Sequence, residues 1–242
     1  MPQTTHPKVK SLGLPDNSKV ILSTHPVLAH KLTKLRDAKT DANLFRHLLR
    51  EITFYLGYEA TSDLSTVPKQ IKTPLGPHQG SELATTVALV PILRAGLGMV
   101  EAMLDLLPNA RVHHIGMYRN SNSLLPVQYY NKLPKECHID CAIVLEPVIN
   151  TAGTIIATVA ILKVWGVSQI KIISTIASKD GLKDLYSKHP EVEVIVAAID
   201  DTLSESGVIV PGLGDAGDRQ FDTDVHHIPG GAGSIKRKHS DE

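Results

Sequence analysis

The chain has 242 residues, and its 25 lysines and arginines balance 25 aspartates and glutamates, so the formal net charge is zero. Apolar residues make up 42 % of the sequence and charged residues 21 %, which excludes a disordered protein and is typical of a globular one. The neutral balance argues against wholesale binding of nucleic acid or of anionic membranes. We expect one large domain, which at this length needs no disulfide or metal for stability.

The N-terminal part of the chain combines a polar arm with two helical patterns. Residues 1–19 are polar and carry three prolines, so we expect a flexible N-terminal arm. Helical spacing follows over residues 25–37 and 41–63. Thr40 or Asp41 is placed to cap the second of these helices. Residues 65–81 are rich in proline and glycine, which predicts turns or an exposed hairpin.

From residue 83 onward, apolar runs alternate with helical segments. We expect strands over residues 83–93, 111–118, 139–145, 170–177 and 192–199. We expect helices over residues 98–107, 154–165 and 179–188, the second of them ended by Gly166. Strands that are apolar on both faces and alternate with helices predict an α/β domain with a mainly parallel sheet flanked by helices. We assign this domain to residues 20–221 and expect a disordered tail over residues 222–242.

Residues 146–154 link the buried strand at 139–145 to the following helix. Small and hydroxyl residues make up much of this loop, and a helix N-terminus with free backbone N–H groups suits a phosphate. Thr151 and Thr154 add hydroxyl donors, and Gly153 allows close approach of the backbone. The loop has no lysine, so it is not the phosphate loop of nucleoside triphosphatases. The alternative is an ordinary helix cap at Thr154 and an ordinary turn at Gly153.

Two arginines follow other predicted strands at the same edge of the sheet. Arg94 comes directly after the strand at 83–93, and Arg119 follows the strand at 111–118. A guanidinium group offers several donors in a fixed fork and is well suited to phosphate. Either arginine alone could be a surface or structural residue, but two of them facing a phosphate-type loop favour an anionic ligand.

Residues 209–218 form a second glycine-rich segment. Gly212, Gly214 and Gly217 match G-x-G-x-x-G formally, but too little chain follows to complete a dinucleotide-binding unit. A loop whose backbone reads a small planar ligand accounts for it better, with a plain reverse turn as the alternative.

Metal and thiol chemistry find little support in the sequence. The 12 histidines lack ligand spacing, and we expect no metal site made by the protein. Cys137 and Cys141 are expected to be free thiols in a reducing compartment. No apolar run is long enough to span a membrane and no secretory pattern is present, so we expect a soluble cytoplasmic protein. The basic triplet at residues 236–238 is a weak signal for nuclear access.

Taken together, these segments resemble the uracil phosphoribosyltransferase family over residues 25–221. The similar stretches are HPVLAHKLTKLRD, YEATSDL, VPILRAGLGM, GMYRN, YYNKLP, the loop at 146–154 and VPGLGDAGDRQF. The resemblance implies the type I phosphoribosyltransferase fold, with a small hood from the terminal segments and a protruding β-arm. It implies pyrimidine salvage, in which uracil and 5-phosphoribosyl-1-pyrophosphate (PRPP) give UMP and pyrophosphate.

The resemblance also implies the site residues. Those for PRPP are Arg94, Arg119, Glu146, Pro147, Val148, Ile149, Asn150, Thr151, Ala152, Gly153, Thr154 and Asp215. Those for uracil are Ile209, Gly214, Asp215 and Ala216, acting mostly through main chain. Asp215 and Arg119 are the implied catalytic residues. The carbonyl of Ile209 can accept from uracil N3–H, whereas cytosine presents an acceptor there and would leave both groups unpaired.

Further implications concern cofactors and partners. Mg²⁺ is expected to be bound mainly through PRPP oxygens and water. A homodimer or homotetramer is expected, with the arm at 119–134 crossing a subunit boundary. Some relatives are activated by GTP, so the resemblance allows a GTP effector, although no residue of this sequence identifies its site. No nucleic-acid or membrane partner is expected.

The loop at 146–154 departs from the family pattern D-P-M-L-A-T-G-G-S. Glu146 is one methylene longer than the family's aspartate, Asn150 replaces alanine, and Ala152 replaces a glycine. A positive φ at Ala152 would strain the loop. These changes keep two alternatives open. One is a degenerate paralogue that binds uracil, PRPP or UMP as a sensor or regulator with little turnover. The other is a transferase that acts on another base.

Overall fold

The computed structural model describes residues 6–15, 17–119 and 126–223, with the side chain of Arg119 outside the described part. The basic triplet at 236–238, and the predicted tail beyond residue 223, also lie outside it. In this part of the chain the strands are β1 (Lys19–Leu22), β2 (Thr66–Thr73), β3 (Gly76–Leu83), β4 (Val87–Leu93), β5 (Arg111–Val112), β6 (Ile115–Arg119), β7 (Pro126–Asn131), β8 (Cys141–Leu145), β9 (Val148–Ile149), β10 (Gln169–Ser178), β11 (Glu193–Asp200), β12 (Thr202–Leu203) and β13 (Ile209–Val210). The helices are α1 (Pro7–Lys10), α2 (Pro26–Arg36), α3 (Ala42–Ala60), α4 (Leu97–Leu106), α5 (Gly153–Trp165), α6 (Lys179–Lys188) and α7 (Ala216–Phe221).

The central sheet has the strand order β1-β11-β10-β8-β4-β6-β7, with β5 beside β4 and β9 beside β10. All neighbours in this order pair in parallel except β6 and β7, which are antiparallel. This confirms the predicted α/β class and mainly parallel sheet. Strand β7 leaves much of its surface exposed and forms the arm at the sheet edge.

Two apolar clusters cover the two faces of the sheet. Along β8, Ala142 and Val144 belong to one cluster, while Ile143 and Leu145 belong to the other. Residues of α5 and α6 complete the first cluster, and residues of α2, α3 and α4 complete the second. Burial on both sides explains why β8 reads as a continuous apolar run in the sequence.

Local sequence signals predicted several helix ends and one hairpin correctly. Asp41 caps α3, because its Oδ1 accepts from the N–H of Leu44 at 2.8 Å. Gly166 ends α5 in the left-handed region, with φ of 104°. The predicted turn segment is a hairpin, in which β2 and β3 pair in antiparallel fashion.

The flexible arm predicted for residues 1–19 is wrong for the part that the structure describes. Val9 of α1 and Leu12, which follows the end of α1, are buried, with 6 % and 2 % exposure, and they pack into the first apolar cluster. Their spacing of three residues puts both on one side of a helical turn, which outweighs the polar composition around them. The strand at 111–118 is also divided, because β5 ends at Val112 and β6 begins only at Ile115.

The topology brings the carboxyl ends of the parallel strands to one edge of the sheet. Here β4 ends at Leu93, β8 at Leu145, β10 at Ser178 and β11 at Asp200. A small hood lies beside this edge, built from α2, the antiparallel pair β12–β13 and α7. Arg219 of α7 joins its parts by donating to the carbonyls of Leu35 at 2.8 Å and Leu213 at 2.7 Å. Among the described helices, none is long and apolar enough to cross a membrane.

Candidate active site

The loop at 146–154 is anchored to the sheet by its backbone. The carbonyl of Pro147 accepts from the N–H groups of Thr175 at 3.0 Å and Ile176 at 3.1 Å, and β9 pairs in parallel with β10. The loop encloses a cavity of about 220 Å³, lined by Glu146 and by residues 148–155. A rigid strand therefore presents the loop at the carboxyl edge of the sheet.

The N-terminus of α5 faces this cavity without a side-chain cap. Its N-cap residue is Ala152, which is buried and adopts φ of 59° and ψ of 2°. Alanine has no side-chain acceptor, so the first-turn N–H groups of Gly153, Thr154 and Ile155 are left for a ligand. The alternative of an ordinary cap at Thr154 is wrong, because Thr154 lies inside the first turn.

The positive φ at Ala152 leads to a stability prediction. Alanine in the left-handed region is strained by about 1–2 kcal/mol, so we expect Ala152→Gly to be at least as stable as the parent despite the loss of a buried methyl group. Ala160 is an exposed helical residue of the same α5, and Ala160→Gly should lower the free energy of unfolding by about 1 kcal/mol. Urea denaturation of both variants measures the contrast. Equal destabilisation would show that Ala152 is unstrained.

Glu146 lies at the entrance of the loop, directly after β8. Burial raises the pKa of its carboxyl to about 8, and the charge of Asp215 adds to the rise, while a hydrogen bond from the N–H of Val148 opposes it. The side chain lines the same cavity as the N-terminus of α5. The site therefore holds a carboxyl group that is mostly protonated at pH 7 before any ligand binds.

Arg94 follows β4 through a cis peptide bond with Leu93. Its Nη2 lies 2.6 Å from Oδ1 of Asp218 and 4.0 Å from Oδ1 of Asp215, and its Nη1 donates to Oγ1 of Thr223 at 2.9 Å. The side chain is 47 % exposed. An incoming anion can therefore reach this guanidinium and compete with Asp218 for it.

Arg119 is the last residue of β6, which is the parallel neighbour of β4. Because Leu93, the last residue of β4, pairs with Gly116, the backbone of Arg119 lies three residues beyond the end of β4 on the neighbouring strand. Its side chain lies outside the described residues.

The glycine-rich segment approaches the loop from the hood. The Val210–Pro211 peptide is cis, and Gly212 and Gly214 have positive φ of 58° and 81°. Asp215 then caps α7 by accepting from the N–H of Asp218 at 2.9 Å. The segment is thus a strand end followed by a helix start. Within the described residues no strand follows α7, so no dinucleotide-binding unit is formed there.

Contacts join the three segments into one site. Arg94 lies near Asp215, and Asp215 acts electrostatically on Glu146. The side-chain Oδ1 of Asn150 accepts from the N–H of Ile209 at 3.0 Å. The loop at 146–154, the end of β4 and the segment at 209–216 therefore converge, as the sequence-based assignment requires.

The sequence analysis missed an ion pair that holds the hood. Arg36 donates two hydrogen bonds to Asp200, at 2.6 Å and 2.7 Å, and a third to the carbonyl of Gly212 at 2.9 Å. Asp200 also accepts from the N–H of Gly212 at 3.1 Å. The sequence feature that could have indicated this pair is Asp200 itself, because it ends the apolar run of β11 at the edge where ligands bind in parallel sheets.

The chain also contains two cysteines, Cys137 and Cys141. Both cysteines are free thiols, and burial raises the pKa of Cys141 to about 12, so this group is a poor nucleophile. Among the described residues no cluster of three or more histidines, cysteines or carboxylates could hold a metal ion.

Comparison with known proteins gives concordant matches. The family model for uracil phosphoribosyltransferase matches residues 22–223. A uracil phosphoribosyltransferase from Roseiflexus sp. (strain RS-1) is 51 % identical over 85 % of this chain and 99 % of its own. The structure of AQ2163 protein from Aquifex aeolicus is 34 % identical, with a TM-score of 0.81 over 85 % of this chain and 99 % of that one. An adenine phosphoribosyltransferase from Trypanosoma brucei, in complex with AMP, pyrophosphate and ribose-5-phosphate, is similar in fold alone, with 11 % identity and a TM-score of 0.50 over 81 % of this chain and 87 % of that one.

Proposed function

The chain belongs to the uracil phosphoribosyltransferase family, and from that premise we propose how its residues divide the reaction. It has the type I phosphoribosyltransferase fold and is a pentosyltransferase, which transfers the 5-phosphoribosyl group of PRPP to uracil. A bond forms between uracil nitrogen and the ribose anomeric carbon, the bond from that carbon to pyrophosphate breaks, and the uracil N–H proton is released.

The observation that carries the assignment of residues is the uncapped N-terminus of α5, which faces Glu146 across one cavity. The N–H groups of residues 153–155 and the hydroxyls of Thr151 and Thr154 would bind the 5-phosphate. The carboxylate of Glu146 would accept from the ribose hydroxyls. The other loop residues, which are Pro147 to Asn150 and Ala152, would shape the cavity through their backbone.

Uracil would bind against the segment at 209–216. The carbonyl of Ile209 would accept from uracil N3–H, and the main chain of Gly214, Asp215 and Ala216 would contact the base. Positive φ at Gly214 supports this assignment, because a residue without a side chain leaves its backbone open to a planar ligand. With cytosine, the carbonyl of Ile209 would face an acceptor of the base. Both groups would then remain unpaired, which costs the full penalty of unpaired buried groups.

Pyrophosphate would be held by Arg94 and Arg119. As the ribose carbon becomes positively charged and the pyrophosphate oxygen negatively charged, Arg119 would stabilise the leaving group, and Asp215 would face the ribosyl cation. Catalysis would come from positioning and electrostatics, since the reacting atoms need no covalent intermediate.

Magnesium would enter with PRPP. Once Glu146 has lost its proton, its carboxylate and that of Asp215 would be oxygen donors of the kind that Mg²⁺ prefers, and the two residues are close enough to interact electrostatically. Two carboxylates without a third ligand fit an ion bound mainly by substrate oxygens and water. The ion would neutralise charge on the pyrophosphate when bound.

We also propose a cytoplasmic homo-oligomer. Tyr129 and Tyr130 on β7 and Val164 on α5 are exposed apolar residues, and a groove of about 720 Å³ beside them is lined by Leu133 and Trp165 among others. Such a surface favours a second copy of the chain crossing at the arm, as a dimer or tetramer.

A GTP effector is tested by measuring turnover with and without GTP.

Steady-state formation of UMP from uracil, PRPP and Mg²⁺ tests the proposed residues. We expect Arg94→Gln to lower kcat/KM for PRPP about 20-fold, because one charge-assisted contact to phosphate is lost. Arg50 pairs with Asp105 on the surface, away from the site, and Arg50→Gln should stay within about twofold of the parent. Turnover of uracil but not of cytosine is expected. Equal effects of the two arginine variants would remove Arg94 from the site, and preference for another base would contradict the assignment of residues 209–216.

A further inference from the structure

We infer that Asn150 is a positioning residue that couples the PRPP loop to the uracil-binding strand. The inference rests on the proposed function and deepens it. Its basis is the hydrogen bond at 3.0 Å between Oδ1 of Asn150 and the N–H of Ile209. These two residues lie 59 positions apart in the chain, one in each of the segments assigned to the two substrates.

Asn150 is fixed at its backbone by the sheet. Its carbonyl accepts from Oγ of Ser178 at 2.5 Å, and the same Oγ accepts from the N–H of Gly181 to cap α6. Ser178 is the last residue of β10 and is buried. The side chain of Asn150 therefore extends from a rigid support, and its position reports the position of the loop.

Ile209 is the first residue of β13 and is buried, with 3 % exposure. A buried N–H without an acceptor costs roughly as much as a lost hydrogen bond, so the amide oxygen of Asn150 supplies a partner that this strand requires. The far end of the segment is held separately, through Gly212 and the Arg36–Asp200 pair. Asn150 thus fixes the end of the segment that carries the Ile209 carbonyl.

The family pattern described above has alanine at this position, which offers no such acceptor. In this chain the loop also carries Ala152 at positive φ, where a strained residue persists only if its surroundings hold it firmly. The two anchors of Asn150 provide that restraint. When PRPP binds at the α5 end of the loop, it restricts the loop further, and the bond to Ile209 transmits this restriction to the base site, so PRPP binding prepares the site for uracil.

The first test is kinetic. We expect Asn150→Ala to lower kcat/KM for uracil, at saturating PRPP, about tenfold, and because coupling between two sites is reciprocal, kcat/KM for PRPP at saturating uracil should fall by a similar factor. Asn150→Asp keeps an acceptor oxygen in the same place and should recover most of the uracil value. A merely structural role would instead lower the melting temperature of Asn150→Ala, and Asn150→Asp would not restore the two kinetic constants. Parent-like kinetics for uracil in Asn150→Ala would overturn the inference.

The second test does not depend on turnover. Hydrogen exchange of the segment at 203–213 is followed with and without PRPP and Mg²⁺. In the parent we expect PRPP to slow exchange about fivefold or more, and in Asn150→Ala we expect no response. Ser204→Ala is the matched control, because it removes the bond from the N–H of Val208 in the same hairpin but leaves Asn150 intact, so the response should persist. A response retained in Asn150→Ala would refute the coupling, whereas a parent that responds to PRPP but makes no UMP would refute the proposed function alone.

Discussion

Replacing Glu146 by glutamine is expected to lower kcat/KM for PRPP about 100-fold. The carboxylate is the proposed acceptor for the ribose hydroxyls, and hydrogen bonds to a charged group are worth about 1.5–3 kcal/mol each, which for two hydroxyls gives at least this factor. Glu146→Asp is the matched variant, because it restores both the charge and the shorter side chain of the family pattern. It should retain activity near or above that of the parent. A fully active Glu146→Gln would exclude a ribose-binding role.

The raised pKa of Glu146 adds a pH dependence. In the folded protein the pKa is about 8 against an ordinary 4.5, so kcat/KM for PRPP in the parent should rise with pH up to about 8, as the carboxylate forms. This ionisation should be absent from the profile of Glu146→Gln. A limb near pH 8 that survives in the glutamine variant would belong to another group.

The same shift has a consequence for stability. A folded pKa above the unfolded one means that Glu146 contributes stability that is fully present below pH 4.5 and is lost as pH rises through about 8. The melting temperature of Glu146→Gln, measured relative to that of the parent, should therefore rise between pH 5 and pH 9. A pH-independent difference would show that the carboxyl is not buried in the way described.

Replacing Asp200 by alanine is expected to lower the free energy of unfolding by about 3 kcal/mol, because it leaves the charge of Arg36 and the N–H of Gly212 without their partner. Both side chains of the pair are largely buried. Asp105→Ala removes an exposed ion pair with Arg50 and should cost less than about 0.5 kcal/mol. Urea denaturation at pH 7 compares the two. Similar small losses would mean that the hood does not depend on the Arg36–Asp200 pair.

The effect of Asp200 depends on pH in the opposite sense to that of Glu146. Burial alone would raise the pKa of Asp200, but hydrogen bonds from Arg36 and its charge outweigh burial and lower the pKa below 3.8. The stability that Asp200 contributes is therefore present above pH 3.8 and is lost as pH falls through the lowered folded pKa. The difference in the free energy of unfolding between the parent and Asp200→Ala should therefore become smaller only in that acidic range. A gap that narrows near neutral pH would contradict the assignment.

The elements of the fold could be predicted because their signals are local. The apolar runs of β8 and β10 reflect burial on both faces, and Asp41 and Gly166 mark helix ends through their own side chain or backbone freedom. The flexibility predicted for the N-terminal arm was wrong, because Val9 and Leu12 are buried although most residues around them are polar. Their burial depends on an apolar surface formed by residues far away in the chain.

The candidate site likewise has features that local signals predict and features that they do not. The loop at 146–154 and Arg94 could be predicted from a strand end, a helix start and the type of side chain. The bonds from Asn150 to Ile209 and from Arg36 to Asp200 span 59 and 164 positions, and no local pattern specifies such a pair. The changes at Glu146, Asn150 and Ala152 could be recognised in the sequence, but only the structure shows a raised pKa, a link between segments and a positive φ.

A crystal structure of the chain with bound UMP tests the central claim most directly, because UMP carries both halves of the ligand in one molecule. We expect its phosphate on the N–H groups of residues 153–155, its ribose hydroxyls within hydrogen-bond distance of Glu146, and its uracil N3–H on the carbonyl of Ile209. A phosphate bound elsewhere, or a base that does not contact residues 209–216, would contradict the account.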